Sequence, residues 1–216
     1  MDSNQIVDGL LFYIGLVVLL TFHEFAHAWT AWKLGDDTAR LQGRLSLNPI
    51  VHIDPIGTVL LPLIMIFASP VVGRFLIGYA KPVPFNPANL RNRWRDEMLI
   101  AMAGPGMNII LAVALVAFAR VAVIFQSEEM VGLFLQMAQL SLLLCFFNLI
   151  PIPPLDGSHV MRNLSGMSYE TYMNLCRFGF IGIILVLQIP GVREVFGFVT
   201  YGTLDGLMFC FGFPSE

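Results

Sequence analysis

His23, Glu24 and His27 spell H-E-F-A-H, and they lie inside an apolar run from Ile6 to Trp32. A helix returns to the same face after four residues, so the two histidines stack one turn apart. Two imidazoles so placed can hold one Zn²⁺, with Glu24 beside the open coordination position as a general base. The preceding stretch, Leu10-Leu-Phe-Tyr-Ile-Gly-Leu-Val-Val-Leu-Leu-Thr-Phe22, has the composition of a membrane span. Ionisable groups are costly at that depth and are usually functional there. The pattern points to a zinc hydrolase built within a membrane.

The rest of the chain supports a membrane setting. Of its 216 residues, 56% are hydrophobic and 12% are charged, where an ordinary soluble domain has about 25% charged. Mean hydropathy is +0.74. Further apolar runs are read as clear spans at Glu97–Phe125 and Met130–Ile150, and Tyr172–Ile189 and Val195–Phe213 as separate helices with a turn at Gly191-Val-Arg-Glu194. Gly57–Gly73 is apolar but short, and Pro62 and Pro70 interrupt it. Leu41, Leu45 and Leu47 alternate with polar neighbours between Arg40 and Asn48, the period of a short strand or hairpin. The first eight residues hold no Lys or Arg, which argues against a cleaved signal peptide. Cys145, Cys176 and Cys210 each sit in apolar sequence and read as buried free thiols. The net charge of -3 comes with no basic stripe of the kind that binds nucleic acid. Nothing in the sequence specifies an oligomer.

A catalytic zinc usually has three protein ligands and an open position. The strongest remaining candidate is Asp156, which follows Pro151, Pro153 and Pro154 and precedes Gly157. Those prolines stop a helix and hold the backbone extended. On spacing alone Asp156 fits a ligand on a stiff turn and fits a helix cap equally well. His159, three residues on, and His52, in Pro49-Ile-Val-His-Ile-Asp-Pro55, are rival ligands.

Two motifs together resemble the site-2 protease family of intramembrane zinc metalloproteases. They are His23-Glu24-Phe-Ala-His27 and Asn148-Leu-Ile-Pro151-Ile-Pro153-Pro-Leu-Asp156-Gly157. Gly104-Pro-Gly-Met-Asn108 is similar to a third family motif, and Lys81-Pro-Val-Pro-Phe-Asn-Pro87 loosely to a fourth. The likeness covers roughly residues 9 to 165. It resembles a minimal member, without the PDZ or cystathionine-synthase-type domain of many relatives. The resemblance implies Asp156 as third zinc ligand, Glu24 as proton shuttle and Asn148 as donor to the oxyanion; Asn108 reads as packing or polar glue between helices. It also implies a transmembrane protein as substrate and the lipid bilayer as surroundings. The implied fold is an all-α polytopic membrane protein of about five to six spans with a three-helix catalytic core. A short β-hairpin or re-entrant segment follows its first span. One membrane-embedded domain fills residues 1–216, with its core at about 6–165 and C-terminal helices at about 172–213.

Topology gives an independent constraint. If the ends of the first span and of Met130–Ile150 share one zinc, an even number of crossings must separate them. Glu97–Phe125 and Met130–Ile150 already supply two, so Gly57–Gly73 is expected to be re-entrant and not a full crossing. With the N-terminus outside, Lys33, Arg40, Arg44, Arg74, Lys81, Arg91, Arg93 and Arg95 all lie inside, eight of the twelve basic residues. That topology implies a multi-pass protein of the cell membrane with its site near the cytoplasmic face. The Arg40–Asn48 segment is then a candidate for pairing with an unwound substrate. A metal transporter or channel using the same His, Glu and Asp cluster is the competing reading, though it needs no Glu between the histidines.

Overall fold

The computed structural model describes residues 3–63 and 80–214. Its contacts divide the chain into two compact units, Met1–Arg91 and Asn92–Glu216. Helices account for the regular structure, and no strand occurs among the described residues. Gly9–Lys33, Arg93–Ile124 and Glu128–Asn148 are long and apolar enough to cross a membrane. A bent pair later in the chain makes up to four.

The first unit is built on helix α1, Ser3–Lys33. Its buried side chains, Leu16, Leu20, Glu24, His27 and Ala31 among them, recur every three or four residues. Val7, Leu11, Ile14 and Val18 form an exposed apolar stripe instead. The helix thus keeps its ionisable groups on the buried face, among apolar neighbours, and an apolar stripe on the outer one, the arrangement a lipid solvent favours. Gly35, at φ +106°, lets the chain leave the helix, and Asp36 N–H then bonds the carbonyl of Ala31.

Residues 36–54 and 80–90 are stitched together by side chains. Fully buried Asp36 accepts hydrogen bonds from Thr38 N and Oγ1 and, far along the chain, from Asn86 N (2.7 Å) and Asn89 Nδ2 (2.8 Å). His52 Nε2 donates to the carbonyl of Ser46 at 2.8 Å, and Lys81 N–H returns to the carbonyl of His52. Asp54 caps a π-helical turn at Pro55–Leu60 by accepting from Ile56 and Gly57 N–H.

The strand or hairpin expected over Arg40–Asn48 is not there. Thr38–Leu41 forms a one-turn helix, α2, followed by a turn at Gly43 and a bend. Alternation predicts a strand only if one face is buried, yet Leu41 is 80% exposed and Leu47 50%. In so apolar a chain, spacing between leucines carries little information about which side is covered. The re-entrant segment expected at Gly57–Gly73 lies mostly outside the described residues; only its first part, through Leu63, is seen as a helical turn.

In the second unit α3 (Arg93–Ile124) and α4 (Glu128–Asn148) form an antiparallel hairpin. It turns at Gln126, whose φ is +55°. Ala112, Val116, Ala138 and Leu142 pack its core with Leu204 of α8 (Val192–Cys210). Small residues bring helix backbones close where lipid gives no hydrophobic drive for association. At the same seam Ser141 Oγ donates to the carbonyl of Asn108, 2.7 Å away.

The turn after α4, with a cis Pro153–Pro154 peptide, leads into α5, Asp156–Ser165. The expected Tyr172–Ile189 helix is two pieces, α6 (Tyr169–Cys176) and α7 (Gly179–Gln188), bent by 66°. Gly179 sits against the carbonyl of Pro153, where any Cβ would collide, so the break falls where the chain passes the proline turn. Gly191 makes the turn into α8, as anticipated. Five to six spans were expected; the described helices supply three or four by length and composition.

Candidate metal centre and catalytic residues

The i, i+4 spacing in α1 brings His23 and His27 together as the sequence requires. Their Nε2 atoms lie 3.1 Å apart, with ring centroids 4.7 Å apart and the rings edge to face at 80°. Two ligands of a tetrahedral zinc, each about 2.0–2.1 Å from the metal, stand about 3.3 Å from one another. The pair therefore fits a shared ion without moving the helix. Both rings and Glu24 are buried, which excludes bulk water and strengthens any charge interaction they make.

Asn148 and Asp156 flank one turn of the second unit. Asn148 is the last residue of α4, and its Nδ2 donates to the carbonyl of Leu144 at 2.9 Å. That is a local bond at the helix end, of the kind Asn commonly makes, and the amide carries a second N–H. Asp156 is the first residue of α5, whose N-cap is Leu155, so Asp156 does not hold the capping position. Gly157 permits the turn. A Cβ there would run into the carbonyl oxygen of Leu149, and would lie 2.9 Å from that of Ile150.

The rival histidines have partners of their own. His159 Nε2 meets the hydroxyl of Tyr172 at 3.1 Å, and that hydroxyl meets Ser158 Oγ at 3.0 Å. His52 holds the loop at Ser46. The three cysteines are free thiols, although only Cys145 is buried; Cys176 is half-buried and Cys210 exposed, contrary to the buried setting expected of all three.

Arg44, which the sequence marks only as one of the basic residues expected inside, has a place of its own in the structure. Its guanidinium is buried, donates to the carbonyl of Lys81 and to that of Pro82 at 3.3 Å, and lies in the field of Glu24. Burial lowers its pKa from the ordinary arginine value, and the Glu24 carboxylate opposes that shift. Arginine stays charged through such changes. No periodicity could have announced it, because its partners are backbone carbonyls 37 and 38 residues away.

The sequence pattern of Peptidase family M50 matches residues 120–187. "Putative zinc metalloprotease YwhC" of Bacillus subtilis is 37% identical over 185 residues, spanning 82% of this chain and 80% of that protein. "Putative zinc metalloprotease Rip2" of Mycolicibacterium smegmatis is 30% identical over 206 residues, spanning 91% and 73%. Its namesake in Mycobacterium tuberculosis is 30% identical over 202 residues, spanning 88% and 71%. No solved structure matches the chain. A paired-histidine helix, a proline-rich turn ending in Asp156-Gly157 and relatives aligned over most of their length lead to one assignment. The chain belongs to peptidase family M50, the site-2 protease family of zinc metalloproteases, and is a multi-pass membrane protein.

Proposed function

We propose that the chain is an intramembrane endopeptidase that cleaves transmembrane segments of other membrane proteins, as a single membrane-embedded domain. The observation that carries this reading is the buried pair of Nε2 atoms, 3.1 Å apart, with Glu24 between their residues on an apolar helix. His23, His27 and Asp156 would hold one zinc ion. When bound, zinc acidifies water and polarises a carbonyl. The Glu24 carboxylate takes the proton of the attacking water and passes it to the leaving nitrogen. The Asn148 amide donates to the oxygen that gains charge during attack. Family membership and a Glu between the two histidines favour proteolysis over metal transport.

A transmembrane helix keeps its carbonyls in internal hydrogen bonds, so the substrate must unwind locally before attack. The basic residues between Lys33 and Arg95 support a cytoplasmic location for that stretch and a site near the cytoplasmic face of the cell membrane.

The test is cleavage of a panel of single-span substrates by the purified protein in vesicles, with and without a zinc chelator. Glu24→Gln should lower the rate by about 10²–10⁴-fold while metal content stays at the wild-type level. Asp156→Ala should lose zinc and activity together, and His159→Ala should keep most of both. Robust cleavage by Glu24→Gln with zinc in place would remove Glu24 from proton transfer. Zinc lost from His159→Ala alone would reassign the third ligand.

A further inference from the structure

The second unit contains a cavity of about 230 Å³ at the N-terminal end of α3, lined among others by Arg93, Trp94, Glu97, Arg162, Ser168 and Tyr169. We propose that it binds the phosphate of an anionic phospholipid headgroup. None of the residues given catalytic or zinc-binding roles lines it, so the inference does not rest on the proposed proteolysis.

The charge in its walls is the first argument. Glu97 is 1% exposed, and its carboxylate is shared by two guanidiniums: Oε1 accepts from Arg93 Nε at 3.3 Å, and Oε2 pairs with Arg162 Nη2. Two arginines against one glutamate leave one positive charge. Neighbouring Asp96 does not line the cavity; its Oδ2 accepts the N–H of Asn92 at 2.8 Å.

Donors are the second argument. Arg162 is buried and is held over the rings of Tyr172 and Tyr169, at 5.3 and 5.8 Å. Asn163 steadies the wall by accepting from Arg162 Nη2 and donating to the carbonyl of Trp94. Among the described residues, Nε and Nη1 of Arg162 and both Nη atoms of Arg93 make no hydrogen bond. A planar fork of such donors matches a phosphate better than a point charge does.

Position is the third argument, and it selects a lipid. Trp94 and Tyr169, each 55% exposed, stand at the cavity where α3 begins its span-length run. Trp and Tyr favour the headgroup level, apolar ring toward the chains and polar edge toward water. Leu164 and Met173, on the short helices α5 and α6, are exposed as well and offer apolar surface to acyl chains. The cavity is smaller than the roughly 300–1,000 Å³ of sites for drug-sized ligands, and a basic pocket at a membrane interface is a common headgroup site.

The purified full chain in detergent would be titrated with phosphatidylglycerol, phosphatidylcholine or inorganic phosphate, and the retained adducts counted by native mass spectrometry. Phosphatidylglycerol should be retained in preference to phosphatidylcholine, and millimolar phosphate should compete with it. Arg93→Gln leaves Glu97 paired with Arg162, so the fold should persist, which thermal unfolding checks. It should weaken phosphatidylglycerol binding about fivefold, the equivalent of ~1 kcal/mol per basic side chain near an anionic surface. Arg93→Lys, which keeps the charge without the fork, should fall between. Arg95→Gln, exposed and outside the cavity, should bind as wild type. Wild-type retention by Arg93→Gln, or equal weakening in Arg95→Gln, would overturn the site. Phosphate binding without preference for phosphatidylglycerol would overturn the lipid assignment and give the cavity to a soluble anion.

Discussion

Asp36 shows how much one buried carboxylate can organise. Burial alone would raise its pKa, but hydrogen bonds from the Thr38 and Asn89 side chains and from the Asn86 and Thr38 backbone outweigh it, and the pKa falls below the ordinary value. A group with a depressed folded pKa contributes stability above its unfolded pKa, and that stability is lost as pH falls through the folded value. Asp36→Asn keeps the shape but puts an amide NH₂ where N–H donors converge. It should destabilise the protein by about 1–3 kcal/mol at neutral pH. Thermal unfolding in detergent should show the gap between wild type and mutant closing as pH drops below about 4. A gap that is constant with pH would mean that charge at Asp36 is not what the loops depend on.

At the scale of elements, the turn between α4 and α5 does the most for its length. Its prolines end one helix, and two glycines, Gly157 and Gly179, let flanking backbone approach it where a Cβ has no room. Because the obstacle at Gly157 is backbone carbonyl and not a flexible side chain, relief requires the turn itself to move. Gly157→Ala should therefore cost about 1–3 kcal/mol of stability and displace Asp156 from the start of α5. The expected outcome is a lowered Tm with reduced zinc content. Gly132→Ala, inside α4 where an added Cβ meets nothing, is the matched control and should keep zinc at the wild-type level without lowering Tm. Wild-type zinc content in Gly157→Ala would show that the turn tolerates the shift without moving the carboxylate.

For the molecule as a whole, the described helices expose many large apolar side chains, so on the proposed function a substrate span meets the protein chiefly through apolar contacts. Selection should then follow how easily a substrate span unwinds. Gly or Pro in the cytoplasmic half of a single-span substrate frees carbonyls that an intact helix keeps bonded, and should raise the cleavage rate. Leu or Ala at the same positions should lower it. The measurement is the rate across a series differing only there, at matched expression and insertion. Rates indifferent to helix stability would shift control to substrate entry.

Local geometry was readable from residues alone. The His23–His27 pairing follows from a four-residue step on a helix, and the turn before Asp156 follows from proline and glycine. The spans at Arg93–Ile124 and Glu128–Asn148 follow from unbroken apolar length, to within a few residues of their observed ends. These signals are short-range, so the order of residues carries them. Where polarity had to report burial, reading failed: the leucines of residues 40–48 alternate without a buried face, and the Tyr172–Ile189 run hides a break set by a turn elsewhere in the chain. The distant partners of Arg44 and Asp36 and the two members of the Glu97–Arg162 pair lie between 37 and 65 residues apart. Contacts over such separations leave no period in the sequence, because they exist only once helices and loops have packed.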